Sequence, residues 1–141
     1  DADAFESAVS LTAGLVARLS REDALVDLLI LGHDAHDLTH LGSSLDATLD
    51  LLACVEPGTG FDVDAVMAPL EPWAPRLSSV LVVALAWDES REALVHRASG
   101  LGVGCRAFVV TPADPRETVA VPPSVTEVAH ATIQRGERLV L

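Results

Sequence analysis

The sequence predicts an α/β domain with a doubly wound, mainly parallel sheet that carries helices on both faces. Half of the 141 residues are hydrophobic but only 4% are aromatic, so the core is built from aliphatic side chains, as in covered parallel sheets. Short apolar runs alternate with stretches of helical period. The links between them are short, which favours right-handed crossovers. A chain of 14.8 kDa has room for one such core, so residues 1–141 are predicted to form a single domain.

The first third of the chain predicts a helix, a strand and a second helix. Asp3 is the expected N-cap of the first helix, with Glu6 completing a capping box. The segment Leu25–Leu31 is short and apolar and precedes Gly32, which is typical of a buried strand. Ser43 or Ser44 then caps a second helix that ends near Cys54. The apolar positions at helical spacing in the first helix are Phe5, Ala8, Val9, Thr12, Leu15, Val16 and Leu19.

Residues 62–76 have a helical period, but three prolines interrupt it. Pro69, Pro72 and Pro75 cannot all lie inside a regular helix, so the pattern predicts a short helix and an irregular approach to the next strand. That strand, Ser79–Ala86, is the strongest strand signal in the sequence.

After this strand, Asp88 is expected to cap a helix from about Glu89 to Ser99. Gly100 ends it, and Val103–Val110 returns as a strand. Gly100, Gly102 and Gly104 lie between a helix and the following strand, whereas a dinucleotide-binding loop lies between a strand and the following helix. They therefore predict a helix stop and a tight entry to the strand.

The last thirty residues carry weaker signals. Glu117–Val121 and Val125–Val128 are expected to be short strands, and Ala129–Leu139 a terminal helix. Trp73 and Trp87 lie in apolar contexts near strand ends, which favours packing over a role as isolated binding hot spots.

The charge composition excludes several classes of protein. A formal net charge of −12 argues against nucleic-acid binding, which needs a basic face. All nine basic residues are arginines, so lysine-dependent chemistry and a receiver-like regulatory site are excluded. Cys54 and Cys105 are too few for a disulfide framework and are expected to be reduced packing residues. The longest apolar run, Val80–Trp87, is too short to span a bilayer, and no signal-peptide pattern is present.

Several motifs in a fixed order are similar to a known family. They are a helix FESAVSLTAGLVARL, a glycine-terminated strand LVDLLILG, a leucine-rich helix LDATLDLLACVEP, the segments LAWDESREALV and GLGVGCRAFVV, and an ending of the form I-x-x-G-x-x-L. Together they resemble the domain of unknown function fifty-eight family, also described as MoxR-associated proteins, over nearly the whole chain.

The resemblance implies a von Willebrand factor A-like fold and work beside a MoxR-type AAA+ ATPase that assembles or activates other proteins. It also implies a bacterial, cytoplasmic location, with a membrane tether only through segments outside this chain. In that fold a central strand with an Asp-x-Ser-x-Ser turn precedes the first helix, and Asp1-Ala2-Asp3 does not match this turn. We therefore expect a further segment or a second copy of the chain to fill the exposed sheet edges.

Two candidate metal sites emerge from the sequence. By the resemblance, Asp88 would hold a divalent cation such as magnesium with Ser43 or Ser44, although helix capping is the favoured role of Asp88. His33, His36 and His40 lie in the stretch HDAHDLTH. Flanking glycines favour a solvated hairpin there, in which the three rings do not converge. The alternative is a small metal-dependent hydrolase that uses these histidines as ligands.

The function we expect is a non-enzymatic protein–protein interaction module without a cofactor. Its partner surface would be the loops at the carboxyl ends of the strands, namely Gly42–Ser44, Trp87–Glu89 and Thr111–Asp114. Trp87, Asp88 and Glu89 are the predicted contact residues on this surface.

Overall fold

A computed structural model describes residues 2–21, 45–53, 60–111, 121–129, 132–133 and 135. The helices are α1 (Ala2–Arg21), α2 (Leu45–Ala53), α3 (Val63–Leu70) and α4 (Glu89–Gly100), and a 3-10 helix (Glu71–Arg76) follows α3 directly. The strands are β1 (Ser79–Ala84), β2 (Gly104–Thr111) and β3 (Thr126–Ala129). The predicted strand Leu25–Leu31, the stretch HDAHDLTH, the strand residues 117–120 and most of the predicted terminal helix lie outside the described residues. Ala129, which was predicted to begin that helix, is instead the last residue of β3.

The three strands form one parallel sheet in the order β1-β2-β3. In the register, Val83 of β1 is opposite Phe108 of β2, and Val110 of β2 is opposite Val128 of β3. Side chains alternate between the two faces, so these four residues point to the same side of the sheet. The predicted α/β class with parallel strands is confirmed for the part of the chain that the structure describes.

Helix α1 covers one face of the sheet. Its Leu11 and Leu15 are buried against Phe108, Val110 and Val128. Burial of such aliphatic side chains contributes about 1.5–3 kcal/mol each. Helix α1 also contacts α2, so α1 packs against a helix as well as against the sheet.

One detail of the α1 prediction is wrong. The helix already begins at Ala2, so Asp3 lies in its first turn and is not the N-cap; there the carboxylate still complements the helix dipole. The buried residues Ala4, Ser7, Leu11 and Leu15 lie along one side of the helix. Of the seven apolar positions at helical spacing, Leu15 and Val16 are buried and the other five are half-buried.

Helix α4 covers the opposite face, and α3 packs against α4. Val95 of α4 contacts the cluster around Ala107 and Val109, whereas Leu94 joins Val66, Met67 and Leu70 of α3. Asp62 caps α3 by accepting a hydrogen bond from the Asp64 amide at 3.1 Å. The helices on the two faces of the sheet thus come from different parts of the chain.

The proline-interrupted stretch folds as predicted. Pro69 lies within α3, and the change to a 3-10 helix at Glu71 accommodates Pro72 and Pro75. Arg97 links α4 to α3 and to the 3-10 helix. Its guanidinium pairs with Asp64 of α3 and lies 3.7 Å from a carboxylate oxygen of Glu71. The short helix and irregular approach to β1 are confirmed.

The glycine-rich stretch stops α4 and begins β2, as predicted. Helix α4 ends at Gly100, and Gly102 has a φ of 79°, a backbone conformation that glycine adopts without steric cost. β2 then begins at Gly104.

Candidate functional site

The carboxyl ends of the three strands lie at one edge of the sheet. Ala84 ends β1 opposite Val109, and Thr111 ends β2 opposite Ala129, the last residue of β3. A bend at residues 85–86 leads from β1 to Trp87 and Asp88. In doubly wound sheets ligands bind at this edge, and here it places the predicted contact residues beside the ends of neighbouring strands.

Asp88 is the N-cap of α4, as predicted. Its backbone is extended, and its Oδ1 accepts a hydrogen bond from the Arg91 amide at 2.9 Å. Its Oδ2 pairs with the guanidinium of Arg91, which also lies 5.6 Å from the ring centroid of Phe61. Both carboxylate oxygens are therefore engaged by Arg91, and a cation bound at Asp88 would have to compete with that guanidinium.

Trp87 is half-buried and packs into the cluster beneath α4. This cluster includes Ala84, Val109 and Val125, with Val95 and Val121 at its border. The indole Nε1 is buried and has no hydrogen-bond acceptor among the described residues. A buried donor without an acceptor costs about 1–3 kcal/mol. Packing, as predicted, is thus the first role of this side chain.

The solvent side of this edge is formed by Leu85, Asp88 and Glu89. Leu85 is 37% exposed and is the exposed large hydrophobic residue of the described ranges. Asp88 and Glu89 are also exposed. Thr111 is half-buried, with its Oγ1 3.5 Å from the Val128 carbonyl oxygen. We call Leu85, Trp87, Asp88, Glu89 and Thr111 the carboxyl-end rim.

Several predicted site residues lie outside the described part of the chain. Ser43 and Ser44, the proposed cation partners of Asp88, are among them. So are the histidines of HDAHDLTH, the loop Gly42–Ser44 and residues 112–114. Within the described ranges, no group of three or more His, Cys, Asp or Glu side chains could hold a metal ion.

Cys105 is a half-buried free thiol in β2. Burial raises the pKa of this thiol, and a hydrogen bond with the Ser99 side chain lowers it by less. The net shift favours the protonated form, which is the less reactive form of cysteine. Cys105 therefore behaves as the packing residue that the sequence predicts; Cys54 lies outside the described residues.

Two arginine contacts of α4 were not predicted from the sequence. The Asp88–Arg91 spacing of three residues on a helix was an available signal for an ion pair. Arg97, in contrast, reaches Asp64 across 33 positions of sequence. No local pattern indicates a contact of that range.

A comparison of the chain with protein-family models, with curated proteins and with solved structures found no match. Among the described residues, no helix is both long enough and apolar enough to cross a bilayer.

Proposed function

We propose that this chain is a non-enzymatic protein–protein interaction module with a von Willebrand factor A-like fold. It resembles the MoxR-associated proteins and would act with a MoxR-type AAA+ ATPase in the assembly or activation of other proteins. The family assignment rests on the sequence motifs, and the choice of partner rests on analogy with that family.

The observation that carries the proposal is the make-up of the carboxyl-end rim. It presents an exposed leucine, Leu85, beside the exposed carboxylates of Asp88 and Glu89 and the half-buried ring of Trp87. An apolar centre with a polar border is typical of protein interfaces, and tryptophan is common among the residues that dominate binding energy.

The chemistry of this rim supports docking over catalysis. The carboxylate of Asp88 is already hydrogen-bonded to the Arg91 amide and paired with its guanidinium, which suits a capping residue better than a free acid or base. The chain also contains no lysine and no tyrosine, so acid–base chemistry would depend on histidines and carboxylates. We therefore assign the rim to partner recognition.

The test is titration calorimetry with the purified MoxR-type ATPase of the same organism. Glu89→Arg should weaken binding by roughly tenfold, since reversing a charge in an interface costs about 1–2 kcal/mol. Leu85→Ser should weaken binding to a similar degree by removing the apolar centre.

Glu6→Arg is the matched control, because Glu6 is also exposed and lies near the start of a helix, on the opposite face of the sheet from α4. It should leave the affinity unchanged. Equal effects of Glu89→Arg and Glu6→Arg would indicate a general charge effect and would overturn the assignment of the rim.

Asp88→Asn separates the cap from the charge. Asparagine caps helices as well as aspartate does, so α4 should persist while the carboxylate is lost. Reduced ATPase binding with an unchanged melting temperature would show that the carboxylate contacts the partner. If magnesium increases ATPase binding of the wild type and not of Asp88→Asn, the carboxylate also holds a cation.

A further inference from the structure

A strip of exposed residues runs along one side of α1. Its members follow one another at intervals of three or four positions, which places them on the same side of a helix. Leu11 and Leu15, in contrast, pack against the sheet. The exposed positions, called the α1 strip below, are Asp3, Glu6, Ser10, Gly14, Arg18 and Arg21.

The α1 strip is acidic at one end and basic at the other. Asp3 and Glu6 are at its amino end, and Arg18 and Arg21 are at its carboxyl end. The helix dipole favours this distribution within one chain, and Asp3 and Arg18 also interact within the chain. Carboxylates and guanidinium groups have several acceptor or donor sites, so a further contact is compatible with those interactions. A second α1 that runs antiparallel would bring each acidic end beside a basic end.

The middle of the α1 strip has almost no side chain. Gly14 lies inside the helix, where glycine is less stable than alanine. A Cβ at this position would meet no other atom within 4 Å among the described residues, so their packing does not require a glycine. Ser10 lies one turn earlier and is also small. A second helix could therefore approach this point to about 8 Å between the helix axes, the short end of the usual range.

From the charges at the ends and the small residues in the middle, we propose that a second copy of the chain packs on the α1 strip. The two α1 helices lie antiparallel across a twofold axis at the level of Thr12. Such an isologous contact is the commonest form of homodimer. Each strip position then has a complementary position at its own level: Asp3 is level with Arg21 of the second copy, Glu6 with Arg18, and Ser10 with Gly14.

The net charge of −12 on each copy opposes this association. At about 0.15 M salt the Debye length is about 8 Å, so repulsion between distant charges is largely screened, and the closer charges across the strip are screened less. One pair of helices buries less surface than a standard interface. We therefore expect a weak dimer, with a dissociation constant between about 10 µM and 1 mM.

The α1 strip is separate from the surface proposed to bind the ATPase. It contains no residue of the carboxyl-end rim, and α1 and α4 pack on opposite faces of the sheet. Either proposal can therefore fail without the other. Because Glu6 belongs to the strip, the ATPase titration with the Glu6→Arg control is made at a concentration at which the chain is monomeric.

The first test is sedimentation equilibrium of the full chain at about 0.15 M salt. We expect a monomer–dimer equilibrium in the stated concentration range. A chain that stays monomeric up to about 1 mM overturns the proposal. A dimer whose dissociation constant does not respond to the substitutions below overturns it as well, because another surface would then hold the two copies together.

The second test adds a side chain at the middle of the strip. Gly14→Gln should raise the dimer dissociation constant at least about tenfold, since the helices can no longer approach closely. It should also raise the melting temperature of the monomer by about 2–4 °C, because glutamine favours a helix more than glycine does. A lower melting temperature would mean that the strip is covered within one chain, which overturns the proposal. Ala68→Gln, at an exposed position of α3, is the control and should leave dimerisation unchanged.

The third test is a charge-exchange series. Arg21→Glu should raise the dissociation constant by roughly ten- to thirtyfold, since two attractions become repulsions. Asp3→Arg should also weaken the dimer, although it makes each copy less negative. The double variant should return to within about threefold of the wild type.

Arg76→Glu is the matched control, because it makes the same charge change as Arg21→Glu at an exposed position outside α1. It should show only the effect of net charge. If Arg21→Glu has no larger effect than Arg76→Glu, or if the double variant shows no recovery, the antiparallel α1 contact is wrong. Circular dichroism identifies any variant that fails to fold, and the wild-type sedimentation experiment does not depend on the variants.

Discussion

β1 and β2 are paired neighbours with similar aliphatic sequences, yet their burial differs. Val109 and Val110 of β2 have no exposed surface, while Val82 and Val83 of β1 remain half-buried. β2 has a strand on each side, whereas among the described residues β1 has one. An apolar run therefore predicts that a strand is buried between helices, but it does not indicate where the strand lies in the sheet.

This comparison predicts that the largest loss of stability comes from the centre of β2. Phe108 is 2% exposed and contacts Leu11 and Leu15 of α1. Phe108→Ala should lower the free energy of unfolding by about 3–5 kcal/mol, through lost transfer energy and the resulting cavity. Urea denaturation followed by circular dichroism measures this change. A loss below about 1 kcal/mol would show that the centre of the sheet is not packed as described.

A matched pair of valine substitutions isolates the difference between the strands. Val110 and Val83 belong to the same cluster beneath α1, and both lose the same atoms on change to alanine. Val110→Ala should cost about 2–3 kcal/mol and Val83→Ala about 1 kcal/mol, in proportion to burial. The measurement is urea denaturation at a protein concentration where the chain is monomeric. Equal losses would mean that Val83 is as deeply covered as Val110.

The cap of α4 should have a smaller effect, because Asp88 is exposed. Asp88→Ala should destabilise the chain by about 1 kcal/mol, and Asp88→Asn by a few tenths of that, since asparagine still accepts from the Arg91 amide. Thermal melting of both variants tests this. If Asp88→Ala and Asp88→Asn lose the same amount of stability, the ion pair with Arg91 provides the stabilisation and the cap does not.

The smallest predicted effect is an alkaline loss of stability that depends on Cys105. Burial raises the pKa of this thiol, so in the unfolded chain the thiol ionises at a lower pH than in the folded chain. Stability is then fully present below the ordinary thiol pKa and declines as pH rises toward the folded value.

Because the chain has no lysine and no tyrosine, few other groups titrate between about pH 8 and 10. Cys105→Ala should flatten the decline in this range, as measured by urea denaturation at several pH values. An unchanged slope would assign the decline to Cys54 or to the terminal amine.

The parts of the fold that depend on local sequence could be predicted. Alternating strands and helices, the Asp88 cap and the stop at Gly100 each follow from residues within a few positions of one another. The predicted parallel arrangement also placed Trp87, Asp88 and Glu89 at the carboxyl ends of the strands.

Features that depend on distant contacts could not be predicted. The burial of Ala4, Ser7 and Leu11 in α1 depends on the elements packed around the helix and does not follow from its period alone. Arg97 pairs with Asp64 through tertiary contact of α3 with α4. Among the described residues the indole N–H of Trp87 has no acceptor; this results from the packing of several segments around the ring, and no sequence pattern indicates it.

That indole provides a built-in optical reporter. A tryptophan ring in aliphatic surroundings without a hydrogen bond to its nitrogen emits at short wavelength, and contact with water or an acceptor moves the emission to longer wavelength. Trp73, beside the guanidinium of Arg76, lies in a more polar environment and contributes a separate spectral component. Fluorescence of Trp87 can therefore follow events at the carboxyl-end rim without any attached dye.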